Sequence, residues 1–323
     1  MGFPGTGVIW MNGRLVPWED ANIHIASHVV HYGSGVFEGA RCYDTVNGPA
    51  CFRLDDHVRR LMDSARVYRM DPPYDAAVIR QAILDTIVAN DYRACYIRPI
   101  VYRGYEALGV NPFPCPIDVA ILLWEWKTMF TEESLEQGVD VKVSTWTRIA
   151  PNTLPALAKS VANYANSQLI KMEALVEGYS EAIALDHLGM LSEGSGQNVF
   201  LVRDGILYTT PTASSVLAGI TRDSVMAIAA DLGFELREQA LPREMLYLAE
   251  EAFFAGTAVE VTPIRSVDKI KVGRGARGPV TEAIQSRFFN IVRGSAPDTH
   301  DWLTFVGTPE TRQNATSQAA NRR

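Results

Sequence analysis

Cysteine is scarce in this sequence: four of its 323 residues are cysteines, and they form neither a C-x-x-C pair nor a cluster with histidine. This pattern argues against a disulfide-stapled scaffold and predicts reduced, mostly buried thiols in a cytoplasmic protein. Long apolar runs are also missing, since none approaches the roughly 18 residues of a transmembrane helix. Residues 1–6 lack the basic region and apolar core of a signal peptide. We therefore expect a cytoplasmic location and no membrane partner.

Stretches of one charge sign are absent as well. The formal net charge is −7, with acidic and basic residues interspersed, so nucleic acid is not an expected partner. His24, His28 and His31 recur at helical spacing without an accompanying carboxylate, and we interpret them as packing and hydrogen-bonding groups. No metal site is predicted. A hydrophobic content of 47% over 323 residues is sufficient for two domains with cores of their own.

Lysine is rare, and one lysine stands in unusual surroundings. Six lysines occur among the 30 basic residues, and Lys159 lies in the run of small and apolar residues from Pro155 to Tyr164. A desolvated lysine has a lowered pKa, and its neutral amine is the form that attacks a carbonyl in Schiff-base chemistry. The alternative is a lysine whose stem packs on an amphipathic helix while its ammonium reaches water.

The first part of the chain has an α+β pattern. Residues 7–16 form a predicted hairpin with a turn at Asn12-Gly13. Helical apolar spacing follows at 54–70 and 75–89, and β-rich runs lie at 96–103 and 118–126. The sequence therefore predicts a small N-terminal domain over residues 1–126.

A polar stretch separates this part from the rest of the chain. We predict an inter-domain loop at 127–138, a larger domain at 139–307, and a polar, disordered tail at 308–323. Within the larger domain, strands are predicted at 139–146 and in a meander over about 181–209. Helices are predicted at roughly 160–177, 221–232 and 279–294, with a short one near Arg243.

Two glycine-containing turns are candidates for binding phosphate. Gly219–Arg222 opens a predicted helix, where free backbone N–H groups and the helix dipole favour an anion. Thr221 could instead cap that helix. Gly256–Ala258 ends a predicted strand and can present both N–H groups and a hydroxyl. Glu193 lies in a glycine-rich turn, and is either a surface residue or a carboxylate fixed in a cavity wall.

Twelve motifs in order, spread over about residues 8–303, together resemble the fold-type IV pyridoxal-phosphate enzymes, and within them the branched-chain amino acid aminotransferases. The motifs are His31–Arg41, Leu54–Arg60, Tyr96–Pro99, Gly109–Pro112, Ala150–Thr153, Ala158–Ser160, Asn163-Tyr164, Leu191–Gly194, Asn198–Phe200, Leu217–Arg222, Glu250–Ala258 and Thr262–Arg265.

The resemblance implies an α+β / α/β two-domain fold of the D-amino acid/branched-chain aminotransferase type, with the active site between a small N-terminal α/β domain and a larger C-terminal domain. It also implies pyridoxal 5′-phosphate as the cofactor. Lys159 would be the catalytic lysine that bonds the cofactor, Tyr164 would bond its phenolic oxygen, and Glu193 would pair with its ring nitrogen. The residues implied to hold the phosphate and line its site are Arg59, Leu217, Gly219, Ile220, Thr221, Gly256 and Thr257.

The same resemblance assigns a substrate pocket. Its predicted lining is Tyr32, Phe37, Tyr96, Arg98, Trp126, Met129, Thr257 and Ala258. Some family members place tyrosine where this chain has Met129, and this departure bears on substrate preference. Aromatic walls suit a branched apolar side chain, and Arg98 is the candidate group for attracting a second carboxylate.

The implied reaction is transfer of the amino group of leucine, isoleucine or valine to 2-oxoglutarate by a ping-pong mechanism. Partners are therefore small amino and 2-oxo acids, and a homodimer or higher homo-oligomer. An (R)-selective amine transaminase shares the same cofactor residues and stays an alternative. A 4-amino-4-deoxychorismate lyase, which shares the fold, is the other.

Overall fold

The computed structural model describes residue 5 and residues 7–126 and 132–307. It divides into two compact units. The first unit comprises Met1–Lys127, Ala158–Ala162 and Asn290–Arg323, and the second comprises Thr128–Leu157 and Asn163–Phe289.

An eight-stranded sheet forms the framework of the first unit, with the strand order β17-β5-β4-β6-β7-β1-β2 and with β3 paired to β6. The pairs in this sheet are antiparallel. Its strands are β1 Val8–Met11, β2 Arg14–Pro17, β3 Gly35–Phe37, β4 Ala40–Thr45, β5 Gly48–Phe52, β6 Cys95–Arg103, β7 Ile117–Trp124 and β17 Leu303–Phe305.

Two helices cover one face of this sheet, and a short helix precedes β3. The helices are α1 His28–Tyr32, α2 Leu54–Val67 and α3 Ala76–Ala89. The apolar stripe of α2 is buried, with Leu54 and Leu61 fully enclosed beside Ile97 of β6. Asp75 caps α3 by accepting a hydrogen bond from the Val78 N–H at 2.9 Å. Alternation along β6 places Ile97 on this core face and Tyr96 and Arg98 on the other.

A nine-stranded mixed sheet forms the second unit, with the order β10-β9-β8-β15-β14-β11-β12-β13 and with β16 paired to β15. Its strands are β8 Val139–Val143, β9 Glu181–Leu185, β10 Leu191–Gly194, β11 Asn198–Arg203, β12 Ile206–Thr209, β13 Leu236–Glu238, β14 Glu251–Gly256, β15 Glu260–Val267 and β16 Ile270–Lys271. Its helices are α4 Glu132–Gln137, α5 Asn163–Val176, α6 Ile220–Asp231, α7 Met245–Leu248 and the greater part of α8 Pro279–Val292, whose last three residues belong to the first unit.

The structure divides the chain differently from the predicted boundaries in two places. Residues 290–307 belong to the first unit, in which β17 pairs with β5. Ala158–Ala162 also belongs to the first unit, and α5 begins at Asn163 rather than near residue 160. Sequence spacing could not show either feature, since both depend on pairing between residues far apart in the chain. The predicted tail at 308–323 lies outside the described residues.

None of the helices in the described part of the chain combines the length and the apolar composition of a membrane span. All four cysteines are free thiols and buried, as the sequence predicts.

Candidate active site

The backbone of Lys159 is held against β3 in the first unit. Its carbonyl oxygen accepts a hydrogen bond from the Phe37 N–H at 3.0 Å, and its own N–H donates to Ser64 Oγ at 3.0 Å. Ser160 forms an antiparallel bridge with Val36, and the Val161 N–H donates to the Gly35 carbonyl at 2.9 Å. This short extended segment fixes the point from which the lysine side chain extends.

The Lys159 side chain lies over an aromatic ring. Its Nζ is 5.3 Å from the centroid of Phe37. An ammonium over a ring face is stabilised by the ring quadrupole. The Lys159 amine therefore has an aromatic ring among its neighbours in this unit.

Aromatic rings surround the guanidinium of Arg98 on the same unit. Its Cζ lies 4.7 Å from the ring centroid of Phe37 and 5.4 Å from those of Tyr96 and Trp124. Tyr96 also packs 4.9 Å from Trp126. Four of the predicted substrate residues, Phe37, Tyr96, Arg98 and Trp126, are thus brought together.

Two further observations describe this aromatic group. The indole Nε1 of Trp126 is buried and has no hydrogen-bond partner among the described residues. Gly39 allows Tyr96 to lie close, since a Cβ at Gly39 would be 2.0 Å from Tyr96 Oη. Tyr32 ends α1, is 45% exposed, and packs 4.5 Å from the ring of His28. Met129, also predicted for this pocket, lies outside the described residues.

The assignment of Arg59 to the phosphate is wrong on this geometry. Its side chain is 72% exposed on the outer face of α2 and pairs with Asp56 at 2.6 Å. The next residue, Arg60, is 14% exposed and points to the buried face. Successive residues of a helix point about 100° apart around its axis, so Arg59 and Arg60 face different surroundings. Arg60, to which the sequence analysis assigns no role, is therefore the buried arginine of the two.

Arg60 belongs to a buried charged cluster with Glu38 and His57. Glu38 is 0% exposed, and its Oε1 accepts from Arg60 Nε at 2.6 Å. Its Oε2 accepts from Arg60 Nη2 at 3.0 Å and lies 2.7 Å from His57 Nδ1. The paired fork geometry of arginine and carboxylate makes this contact strong and directional.

Opposite effects act on the two titratable groups of this cluster. Burial alone would raise the pKa of Glu38, but the Arg60 charge and the hydrogen bonds from Arg60 and His57 hold it well below its usual range. Burial lowers the pKa of His57, against the opposing effect of Glu38, and the nearby Lys159 charge lowers it further. The cluster is therefore an ionised Glu38–Arg60 pair beside a neutral imidazole.

Glu193 is buried in the second unit and is held from three sides. Its Oε1 accepts from Arg148 Nη2 at 2.7 Å, and its Oε2 accepts from Asn198 Nδ2 and from the Leu217 N–H, both at 3.1 Å. The side chain of Glu193 is 5% exposed. A surface-turn role for Glu193 is thus excluded, and the interpretation of a carboxylate fixed by its surroundings holds. Arg148 was not found from sequence, because Glu193 lies 45 positions away, and Asn198 was part of a motif but was assigned no role.

The start of α6 lies next to this carboxylate. Asn198 Nδ2, which contacts Glu193, also donates to the Leu217 carbonyl at 3.0 Å. Gly219 is the N-cap and provides no side-chain cap, and Thr221 is inside the helix and buried. The alternative capping role of Thr221 is therefore wrong. The first-turn N–H groups of α6 have the orientation that favours an anion.

The second predicted phosphate turn, Gly256–Ala258, joins β14 to β15. Gln197 lies against it, since a Cβ at Gly256 would be 3.3 Å from Gln197 Cβ. The Gln197 Nε2 is buried without a partner in the described part of the chain. Tyr164 occupies the first turn of α5 and is half-buried.

A family model and the curated relatives both match this chain to aminotransferases. Residues 35–267 match the family model for amino-transferase class IV. The branched-chain-amino-acid aminotransferase of Salmonella typhimurium is 49% identical over 93% of this chain and 97% of its own length.

Solved structures agree with this result. The Escherichia coli branched-chain amino acid aminotransferase superposes with a TM-score of 0.92 at 48% identity, covering 94% of this chain and all of that one. The T.th. branched-chain amino acid aminotransferase with pyridoxamine 5′-phosphate gives a TM-score of 0.91 at 45% identity, covering 94% and 99%. The same T.th. enzyme has also been solved with N-(5′-phosphopyridoxyl)-L-glutamate and with 4-methylvaleric acid.

The chain belongs to the class IV aminotransferases, and within them to the branched-chain amino acid aminotransferase family. The predicted fold-type IV architecture is confirmed. Pyridoxal 5′-phosphate is the cofactor of this family, and the cofactor prediction is confirmed at that level.

Proposed function

We propose that this chain transfers the amino group of leucine, isoleucine or valine to 2-oxoglutarate, using pyridoxal 5′-phosphate. The observation that carries the proposal is Lys159, held by backbone hydrogen bonds to Phe37 and Ser64 within an aromatic surrounding. The identity of about half of all residues to branched-chain-amino-acid aminotransferases supports the choice of substrate.

The residues present fit the cofactor. Lys159 supplies the amine and Glu193 a buried carboxylate for the ring nitrogen. Tyr164 is assigned to the phenolic oxygen. For the phosphate we assign Arg60 in place of Arg59, because the guanidinium of Arg60 is the more buried of the two on α2. It also belongs to the same cluster as His57, whose pKa is lowered by the nearby Lys159 charge.

Further phosphate donors are assigned to backbone and hydroxyl groups. The first turn of α6, with Gly219, Ile220 and Thr221, supplies N–H groups. The Gly256–Thr257 turn supplies a second set, beside the unpartnered Gln197 amide nitrogen. A phosphate dianion would satisfy such donors.

The mechanism assigns proton movement to Lys159. When bound, the cofactor accepts the electron pair of the substrate Cα–H bond. Lys159 Nζ, as the neutral amine, removes the Cα proton as a general base and returns a proton as a general acid. Glu193, as the carboxylate, holds the proton on the ring nitrogen. The 2-oxo acid product leaves before 2-oxoglutarate binds, which is the ping-pong order.

Substrate selection is assigned to the aromatic group around Arg98. Phe37, Tyr96 and Trp126 present ring surface to an isobutyl-like side chain, and Tyr32, Thr257 and Ala258 stay predicted lining residues. Arg98 would attract the side-chain carboxylate of glutamate or 2-oxoglutarate, while its aromatic neighbours keep it close to the apolar surface.

A donor and acceptor panel on the purified protein tests this function. The expected result is rapid amino transfer from branched-chain L-amino acids to 2-oxoglutarate, with Lys159→Ala inactive. Faster turnover of 1-phenylethylamine would instead identify an (R)-selective amine transaminase. The aromatic rings around Arg98 could also pack against the phenyl group of that amine. Pyruvate release without an amino acceptor would indicate a lyase.

We also propose a homodimer in the cytoplasm. Large apolar side chains are exposed on two segments of the first unit, and these segments contact each other through His28 Nε2 and the Gly109 carbonyl at 2.9 Å. The exposed residues of this apolar surface are Ile23, Ile25, Val30, Tyr32, Tyr105, Leu108, Val110 and Phe113. Apolar patches of this kind are characteristic of protein interfaces. A second copy of the chain is the proposed partner at this apolar surface. The cytoplasmic location is proposed because four free thiols are typical of proteins in a reducing compartment.

A further inference from the structure

The guanidinium of Arg148 is fixed beside Glu193 by contacts to other elements of the second unit. Nη1 donates to Asn166 Oδ1 at 3.1 Å and to Ser167 Oγ at 3.2 Å, both on α5. The backbone N–H of Arg148 donates to the Leu185 carbonyl at 2.9 Å. The side chain is 6% exposed. The positive charge therefore cannot leave Glu193 without breaking several contacts.

Burial makes this pairing energetically important. A carboxylate removed from water is disfavoured in its charged form, and in isolation it takes up a proton instead. Arginine stays charged at every accessible pH. Arg148 thus supplies the countercharge for Glu193 from within the protein, whether or not a cofactor is bound.

Two further groups that contact Glu193 are neutral. Asn198 of β11 donates through its amide, and Leu217 donates through its backbone N–H. Asn166 and Ser167 of α5 contact Arg148 and are also neutral. Arg148 is the charged group in this set of contacts, so its removal changes the electrostatic surroundings of the carboxylate most.

We propose that Arg148 is a positioning residue that keeps Glu193 ionised and oriented in the cofactor-free protein. The ring nitrogen of pyridoxal 5′-phosphate then binds in its protonated form without displacing a proton from Glu193. This inference rests on the proposed pairing of Glu193 with the ring nitrogen. Arg148 acts through Glu193 and is assigned no contact with the substrate.

The test measures cofactor affinity rather than turnover. The cofactor is removed from the wild type and from Arg148→Lys, Arg148→Met and Glu193→Gln variants, and the Kd of pyridoxal 5′-phosphate is determined by absorbance titration between pH 5 and 7.5. Titration of the cofactor phosphate is common to all four proteins. Each profile is therefore expressed as a ratio to wild type.

The expected result is a pH-dependent defect in one variant. Without the guanidinium the pKa of Glu193 rises, so a proton must leave before the protonated ring nitrogen binds. The Kd ratio of Arg148→Met should then grow about tenfold for each pH unit below the raised pKa, and shrink toward one as pH rises. Arg148→Lys retains the charge and should give a flat ratio. Glu193→Gln should be weaker at every pH with a flat ratio.

Three outcomes overturn the proposal. A flat ratio for Arg148→Met, whether equal to one or uniformly raised, would assign Arg148 a packing role only. The same pH dependence in Arg148→Lys would exclude the charge as its cause. If Glu193→Gln binds the cofactor as wild type does, the proposed role of Glu193 fails first, and the inference fails with it.

A second set of variants covers the case in which Arg148→Met does not fold. Arg148→Gln keeps a hydrogen-bond donor without the charge and should show the same pH-dependent ratio. If both neutral variants fail to fold, the double variant Arg148→Met with Glu193→Gln should fold, because no buried charge is left unpaired. Failure of the double variant to fold would contradict the electrostatic role.

Discussion

At the scale of single residues, a one-residue step along α2 separates two arginines with different surroundings. Arg59 is 72% exposed and pairs with Asp56, whereas Arg60 is 14% exposed and pairs with the fully buried Glu38. Both are charged, and both lie in the same sequence motif. Burial on the folded helix is what distinguishes them.

The two arginines give a matched pair of variants. Arg60→Gln should weaken pyridoxal 5′-phosphate binding about tenfold to hundredfold, because a hydrogen bond to a charged group contributes about 1.5–3 kcal/mol. Arg59→Gln changes an exposed residue of the same helix and should alter the Kd by less than about twofold. Cofactor titration of the two cofactor-free variants checks this, and a larger effect from Arg59→Gln would reverse the assignment.

Arg98 is expected to discriminate between substrate classes. Arg98→Leu should lower kcat/KM for 2-oxoglutarate about tenfold to hundredfold more than for 4-methyl-2-oxopentanoate, because only the former has a second carboxylate. Arg98→Lys keeps the charge and should recover part of the difference. Steady-state kinetics with both acceptors decide the point. Equal losses would show that Arg98 only braces Phe37, Tyr96 and Trp124.

At the scale of elements, Glu38 connects the β3–β4 segment to α2 through Arg60 and His57. Its pKa is held well below the usual range. A carboxyl with a lowered folded pKa stabilises the fold above its unfolded pKa of about 4.3, and this stabilisation is lost as pH falls toward the folded value. The lowered pKa of His57 acts in the same direction from about pH 6.5 downward, since the unfolded chain takes up that proton.

Glu38→Gln should therefore change stability in a pH-dependent manner. At pH 7 we expect a loss of about 3–5 kcal/mol, the cost of breaking a buried ion pair from one side. Below about pH 4.3 the difference from wild type should shrink, because the unfolded wild-type chain takes up a proton at Glu38 and the folded state does not. Thermal unfolding from pH 3.5 to 7 measures this. Asp44→Asn, which breaks the exposed pair with Arg93, is the control and should have little effect at any pH.

At the scale of the whole molecule, the apolar surface on residues 23–32 and 105–113 predicts self-association. Val110 lies on this surface and is 89% exposed. Val176 belongs to the second unit, is not part of this surface, and is 88% exposed. Val110→Asp should shift the protein toward monomers and reduce activity, since a charge placed in an interface is costly. Val176→Asp is the matched control and should leave the oligomer unchanged. Analytical ultracentrifugation compares the two. A wild-type monomer with full activity would disprove the dimer.

The sequence by itself determined the local elements of this protein. The apolar spacing of α2 and α3, the Asn12-Gly13 hairpin turn and the β-rich runs of β6 and β7 all lie where the patterns predict them. These features depend on residues close together in the chain, where helical and strand periodicity act directly. The run of small and apolar residues around Lys159 could be recognised for the same reason, since these residues are its neighbours in the chain.

Only the tertiary structure decided which of these elements share a unit and which side chains meet. It placed β17 and Ala158–Ala162 in the first unit, buried Arg60 rather than Arg59, and brought Arg148 to Glu193 across 45 positions of sequence. Strand pairing and buried ion pairs join residues that no local pattern relates. The physical reason is that burial and countercharge are properties of the folded surroundings of a residue, whereas periodicity is a property of the chain.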